Sequence, residues 1–211
     1  MTLREKKIKI INNINQAAQL YKQYLLGKTF MYVFDDRYIE VSFRKKDFAH
    51  LCGVEKTISS KSFYNDAIKG KLRHNQIYFS ARHPMSLSIK KTNKIKNINK
   101  CISEEGFILE NIKTKTTVFK FGFTELEFTL CFDYDLDEDG NKKSNYLIVK
   151  SLRDEDCFKK TTNAHEIDFV FQKNNDEKIY NIITYKNVNK DMNQLCPEIK
   201  ALISVELINN K

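Results

Sequence analysis

The amino-acid sequence changes character near residue 107, and this change limits the chain to folds that combine helices with a large sheet. Before it, apolar side chains recur at the spacing of an amphipathic helix, at Ile11, Ile14, Ala18, Tyr21 and Leu25. After it, six runs of β-branched and aromatic residues alternate with short polar turns through residue 185. Consecutive runs joined by short turns predict an antiparallel meander.

The first half should contain several shorter elements. Residues 29–35 and 38–43 predict a β-hairpin, and Gly27 should end the first helix. A short helix is expected at 48–52, capped by Asp47 and ended by Gly53. A second helix at 62–70, capped by Ser59 or Ser60, and a strand at 76–80 should follow. A helix from Ser86 to before Gly106 should turn Leu87, Ile95, Ile98 and Ile102 inward and leave Lys90, Lys91, Lys94, Lys96 and Lys100 in water.

These elements predict an α+β fold, in which N-terminal amphipathic helices and a hairpin pack with a curved antiparallel β-meander. The last segment, 197–208, predicts either a helix with proline in its first turn or an edge strand. No linker composition is visible, so we expect one domain over residues 1–211, with a basic helix-rich lobe at 1–106 and a strand-rich lobe at 107–211.

The net charge of +9 is unevenly distributed. Residues 1–100 hold 21 basic and 7 acidic side chains, whereas residues 101–211 hold 15 and 20. Basic residues interleaved with aromatic ones are typical of nucleic-acid binding, because cations displace counterions from phosphates and aromatic rings stack on bases. RNA or DNA is therefore the leading partner of the first half. The alternative is that a Lys-, Asn- and Ile-rich composition reflects a low-GC genome and keeps the chain soluble.

The sequence predicts neither a cofactor nor a bound metal. The five cysteines form no disulfide framework or CxxC site, and no phosphate-binding glycine loop is present. The string Asp135–Asn141 resembles the start of an EF-hand calcium loop, but Tyr146 stands where the bidentate glutamate is needed, which favours a solvated turn. The chain has no long apolar run and no secretory signal, so we expect it in the bacterial cytoplasm and off membranes.

Metal-free RNA cleavage is the reaction that such a basic domain can perform with the fewest groups. The 2′-hydroxyl of RNA serves as the nucleophile, so the protein needs a base for its proton, an acid for the leaving 5′-oxygen and cations around the phosphate. Histidine, arginine and lysine are sufficient for these roles.

Residues 27–54 carry a resemblance to a known family. Its elements are Gly27-Lys28 before an aromatic hairpin, then Phe48, His50, Leu51 and Gly53 in a Phe-x-His-Leu-x-Gly string, and a following helix with Phe63-Tyr64. Over about residues 20–155 this order resembles the phage-associated branch of the barnase, EndoU, colicin and RelE-like nuclease superfamily. It is also similar to TscT-type toxins of toxin–antitoxin pairs on phages and pathogenicity islands. The resemblance implies a small antiparallel nuclease sheet behind N-terminal helices, metal-independent RNA cleavage and a neutralising antitoxin.

His50 is the candidate catalytic acid or base, because it lies beside the basic hairpin; alternatively it packs between Phe48 and Leu51. The candidate RNA- and phosphate-binding residues are Lys28, Arg37, Arg44, Arg153 and His83. Each has a structural interpretation as well. Lys28 follows a helix C-terminus, the two hairpin arginines are in exposed positions, Arg153 precedes an acidic loop at 154–156, and His83 lies in a loop.

Three functional hypotheses remain open at this point. The favoured one is a metal-independent endoribonuclease-like toxin of a mobile genetic element, which binds RNA through its basic N-terminal half and has an antitoxin as partner. The second is a catalytically inactive RNA-binding inhibitor of a host RNA-guided defence or translation process, similar to an anti-CRISPR protein, with a host ribonucleoprotein as partner. The third is a protein-interaction module whose acidic residues 125–139 engage a basic partner.

Overall fold

A computed structural model of the protein describes residues 2–209. The helices are α1 (Leu3–Leu20, continued by a π-helical turn at Tyr21–Leu25), α2 (Phe48–Cys52), α3 (Ser60–Ile68), α4 (Met85–Lys94), α5 (Lys100–Ser103), α6 (Pro197–Lys200) and α7 (Val205–Asn209). The strands are β1 (Lys28–Phe34), β2 (Arg37–Ser42), β3 (Glu55–Lys56), β4 (Ile77–Tyr78), β5 (Phe107–Lys113), β6 (Val118–Thr124), β7 (Thr129–Leu136), β8 (Lys142–Arg153), β9 (Asn163–Glu166), β10 (Phe169–Asn174) and β11 (Ile182–Lys186). Short 3₁₀ turns lie at Ile95–Asn97, Phe158–Lys160 and Met192–Gln194.

Nine strands form one sheet in the order β11-β10-β1-β2-β8-β7-β6-β5-β9. All neighbours are antiparallel except β2 and β8, which pair in parallel. The predicted α+β class and the meander from β5 to β8 are confirmed. The hairpin β1–β2, from the basic half of the chain, lies in the middle of this sheet.

The meander does not continue past β8, which corrects the prediction that all six runs after residue 107 form one meander. Ile167 and Asp168 separate β9, which pairs with β5, from β10, which pairs with β1. The N–H of Ile167 donates to the Gly106 carbonyl at 3.1 Å, and the N–H of Asp168 donates to the Val33 carbonyl at 2.8 Å. A two-residue link between strands so far apart in sheet order requires strong curvature, so the sheet curls around its inner face.

Local sequence explains the turn of the hairpin β1–β2 and the C-terminal end of α2. Asp35 and Asp36 have positive φ values of 46° and 57°, as a tight two-residue hairpin turn requires. The helix ends at Gly53, whose φ is +65°, as predicted. The predicted cap is wrong, because the Asp47 carboxylate bonds to Arg44 instead of to the helix N-terminus.

The core lies on both faces of the sheet. On the inner face, Tyr32 packs with its ring centroid 6.2 Å from those of Phe123 and Phe132, and the apolar stripe of α1 covers this cluster. On the other face of β1 and β10, Ile199 and Ile203 pack in a second cluster. The closing segment is neither one helix nor an edge strand: α6, with Pro197 in its first turn, is separated from α7 by a turn in which Ile203 forms a β-bridge with Tyr180. Within residues 2–209, no helix combines the length and apolar character needed to span a bilayer.

The helix expected from Ser86 to before Gly106 is divided into α4, a 3₁₀ turn and α5. Ile95, Ile98 and Ile102 are buried as predicted. Lys91 contradicts the prediction that the lysines of this segment stay in water, because only 6% of it is exposed.

Candidate functional site

A cleft of about 700 Å³ lies between the helices and the sheet. One side is formed by α2, β3, α4 and the loop after β4, and the other by β8 and the β5–β6 turn. Three sequence-predicted site residues line it, namely His50, His83 and Arg153. The fold thus brings together groups that are up to 103 positions apart in the chain.

His50 is on the outward face of α2. The two residues around it in the Phe-x-His-Leu-x-Gly string, Phe48 and Leu51, are fully buried, and the Phe48 ring lies 5.2 Å from that of Tyr21. The helix is therefore anchored by its apolar residues while His50 stays exposed at the cleft. This geometry excludes the alternative in which His50 is itself a core packing residue.

The environment of His50 favours its neutral form. Partial burial by the cleft walls lowers the pKa of His50, and the charges of Lys56, Lys150 and Lys91 lower it further. The carboxylate of Asp47 acts in the opposite direction. Because the pKa is below the ordinary value of 6.5, His50 is uncharged at neutral pH and is able to accept a proton.

His83 faces the same cleft and is held by a carboxylate. Its Nδ1 lies 2.7 Å from Oε1 of Glu55, which is on β3. The hydrogen bond with His83 is the main reason why the pKa of the Glu55 carboxyl is lowered. Glu55 is therefore ionised at neutral pH.

Two cations that line the cleft, Lys91 and Arg153, have no carboxylate partner among the residues that the structure describes. Within residues 2–209, neither Lys91 nor Arg153 forms an ion pair. Burial, together with the nearby charge of Arg153, lowers the pKa of Lys91 to about 8. The Arg153 guanidinium lies 5.5 Å over the Phe119 ring, and its buried Nε has no hydrogen-bond partner in this part of the chain. A buried cation normally has an anionic partner, so the buried Lys91 together with the buried Nε of Arg153 indicates a site for a bound anion.

Most charged side chains in the lining are cationic. Its lysines and arginines are Lys56, Arg82, Lys91, Lys115, Lys150, Arg153 and Lys160. Among the residues that the structure describes, Glu55 is the one carboxylate in this lining, and it is engaged by His83. Concentrated positive charge in a concave, partly dehydrated surface attracts a polyanion such as a nucleic acid.

A sequence model of the family described as phage-Barnase-EndoU-ColicinE5/D-RelE like nuclease4 (PBECR4) matches residues 13–189 of the chain. This protein belongs to the PBECR4 nuclease family. The match includes every residue named in the cleft and extends beyond the 20–155 segment of the sequence resemblance. No curated protein and no solved structure has a significant match to the chain.

Three predicted phosphate-binding residues of this PBECR4 protein lie outside the cleft lining. Lys28 donates from Nζ to the Gln23 carbonyl at 3.0 Å and so caps the preceding helical turn. Arg37 forms an ion pair with Glu110 at 2.9 Å and lies over the Phe34 ring.

Arg44 is the third of these residues, and its guanidinium is fully engaged. It bonds both oxygens of Asp47 at 2.7 and 2.9 Å and also pairs with Asp135. Asp135 opens the calcium-loop-like string, and its contacts with Arg44 and Lys46 lower its pKa to about 2. The string itself forms the β7–β8 turn, in which Asp137 accepts the N–H groups of Asp139 and Asn141. Phosphate binding by Lys28, Arg37 and Arg44 stays a prediction.

Sequence reasoning missed Lys91 and Glu55. Lys91 lies four residues after Leu87 and four before Ile95, so it occupies the apolar stripe of α4, and this spacing was a usable signal. Glu55 is 28 residues from His83, and no local pattern joins them. Of the seven basic residues in the lining, Lys115, Lys150, Arg153 and Lys160 come from the acidic half of the chain. The charge asymmetry of the sequence therefore did not locate the cleft.

Proposed function

We propose that this protein is a metal-independent endoribonuclease whose cleft binds RNA at a phosphodiester. Membership of a nuclease family supports cleavage of nucleic acid in general. The observation that supports the finer proposal is a single cleft that holds two histidines and the unpaired cations Lys91 and Arg153. His50 and His83 transfer protons, and the two cations hold the phosphate.

This set of groups matches the needs of cleavage through the 2′-hydroxyl. An acid, a base and cations around the phosphate are sufficient, and typical contributions are about 10²–10⁴-fold for each proton-transfer group. Divalent metals prefer carboxylate and carbonyl oxygens. The lining instead presents seven cationic side chains, and these supply the positive charge that a metal would otherwise provide.

The biological role that we propose is that of a toxin from a mobile genetic element, acting on RNA in the bacterial cytoplasm. The phage association of the family and the resemblance to TscT-type toxins support this role. A toxin that cleaves cellular RNA has to be kept inactive in its own host, so a neutralising antitoxin is the expected protein partner.

Expression in a bacterium tests the proposal against the RNA-binding inhibitor. Induction of the wild-type chain should stop growth and produce new RNA 5′ ends, mapped by sequencing of total RNA. His50→Ala should abolish the new ends, whereas His74→Ala, at an exposed histidine outside this cleft, should not. Growth arrest without new RNA ends, unchanged by His50→Ala, would favour an inhibitor that binds RNA or a ribonucleoprotein.

A further inference from the structure

The small sheet β3–β4 presents a carboxylate–imidazole pair to the cleft. Glu55 Oε1 lies 2.7 Å from Nδ1 of His83. Ser80 reinforces the pair, because its Oγ donates to the same Glu55 oxygen at 3.3 Å and accepts the backbone N–H of His83 at 3.1 Å. The backbone N–H of Ser80 in turn donates to the His83 carbonyl at 3.1 Å. Both the backbone and the ring of His83 are thereby held in place.

This arrangement leaves one ring nitrogen of His83 for a substrate. Because Nδ1 is bonded to Glu55, Nε2 is the atom available in the cleft. A carboxylate that bonds one imidazole nitrogen fixes the orientation of the ring and directs the other nitrogen towards a substrate. His83 is therefore oriented to act on a substrate through Nε2.

His50 has different surroundings, in which partial burial lowers the pKa of the ring although Asp47 raises it. Lys56, Lys91 and Lys150 disfavour a positive charge on this ring. The two histidines of the cleft thus differ in their contacts, because His83 is bonded to a carboxylate through Nδ1 whereas three lysines lie near His50. Such a difference in surroundings separates the roles of acid and base.

On this basis the geometry points to a division of labour in which Glu55 is a positioning residue that holds His83 as the general acid, while His50 is the general base. The assignment rests on the proposed ribonuclease function. His50 takes the proton of the 2′-hydroxyl while the 2′-oxygen forms a bond to phosphorus. The bond from phosphorus to the 5′-oxygen breaks, and His83 gives its Nε2 proton to that oxygen. The products are a 2′,3′-cyclic phosphate and a 5′-hydroxyl, with no change in oxidation state.

A substrate that needs no acid tests this assignment. In uridine 3′-(4-nitrophenyl phosphate) the nitrophenolate leaves without a proton, whereas the 5′-oxygen of an RNA dinucleotide requires one. We expect His83→Ala to lower kcat on the dinucleotide by about 10²–10⁴-fold but to leave the activated ester within about tenfold of wild type. His50→Ala should lose a comparable factor on both substrates, because the base is needed for each.

Glu55→Gln should show the same pattern as His83→Ala, but with a smaller loss. Its kcat on the dinucleotide should fall while KM stays unchanged, and its activity on the activated ester should be close to that of the wild type. Glu138→Gln makes the same chemical change at an exposed position of the β7–β8 turn and should alter neither rate. A purely structural role of Glu55 predicts equal losses on both substrates. That outcome overturns the assignment. It is also overturned if His50→Ala, and not His83→Ala, regains its activity on the activated ester.

A measurement on the unaltered protein remains decisive if a variant fails to fold. The ¹⁵N spectrum of the His83 ring should show protons on both ring nitrogens at the pH of the assay, and a ring that carries no proton on Nε2 overturns the assignment. A wild-type protein that cleaves neither substrate would refute the proposed function itself. Activity with the wrong pattern of rescue would refute only the division of labour.

Discussion

Replacing Lys91 by methionine should make the protein more stable and less active. Methionine fills nearly the same volume as the buried lysine stem but carries no charge. It removes one of the two cations proposed to hold the phosphate. Loss of such a contact should lower RNA cleavage by about 10²–10³-fold.

The gain in stability follows from the pKa of Lys91, which is about 8 in the folded protein against 10.5 for an exposed lysine. Such a difference corresponds to about 3 kcal/mol, the upper bound on what burial of this charge removes from the free energy of unfolding at pH 7. Below pH 8 the lysine is charged in both states, so the full penalty applies. Between pH 8 and 10.5 the unfolded chain binds more protons than the folded one, and wild-type stability therefore rises with pH.

Urea denaturation followed by circular dichroism at pH 7 and pH 9.5 measures this effect. The advantage of Lys91→Met should be about 3 kcal/mol at most at pH 7 and should shrink by about 1.4 kcal/mol per pH unit above pH 8. Lys90→Met, at the exposed neighbour, should stay within about 0.5 kcal/mol of wild type. A Lys91→Met protein that is less stable than wild type at pH 7, or an advantage that does not change with pH, would refute the reasoning.

Three further outcomes are expected. Gly53→Ala and Gly70→Ala both place alanine at φ +65°, but only the Cβ at Gly53 would lie 2.6 Å from the Lys91 side chain; Gly53→Ala should therefore lower stability by about 1 kcal/mol or more beyond Gly70→Ala, as thermal melts would show. Arg44→Ala should lower stability by about 1–3 kcal/mol. The pKa of Asp135 is about 2 instead of 3.8, so the contribution of its ion pair to stability should be complete above pH 3.8 and be lost as the pH falls towards 2. Acid titrations of the wild type and of Arg44→Ala measure this contribution. Binding of single-stranded RNA should weaken with salt with a log–log slope of about −0.7 per phosphate contacted, and a flat response in a filter-binding titration would contradict a cationic cleft.

The sequence contained enough information for most elements and for one motif. Periodicity located α1 and the meander, because helix and strand patterns depend on neighbours within a few residues. The Phe-x-His-Leu-x-Gly string also proved locally interpretable, since Phe48 and Leu51 anchor α2, Gly53 ends it and His50 remains outside the core. These features depend on short-range constraints.

The rest required the three-dimensional arrangement. Separation of β9 from β10 depends on the curvature of the whole sheet, which no pattern around Ile167 encodes. Arg44 pairs with Asp135, which is 91 positions away in the chain. This candidate phosphate-binding residue therefore forms an ion pair that the sequence alone does not reveal. The usual exposure of lysines predicts that Lys91 lies in water, although its position in the apolar stripe of α4 indicates burial, which the structure shows.

Incubation of the purified protein with RNA in EDTA, with analysis of the new ends by mass spectrometry, tests the central claim most directly. We expect cleavage that leaves 2′,3′-cyclic phosphate and 5′-hydroxyl ends, is unaffected by EDTA and falls about 10²–10⁴-fold in His50→Ala with RNA affinity nearly unchanged. His74→Ala should cleave as wild type does. Absence of cleavage by a folded, RNA-binding protein, or cleavage that EDTA abolishes, would contradict the account.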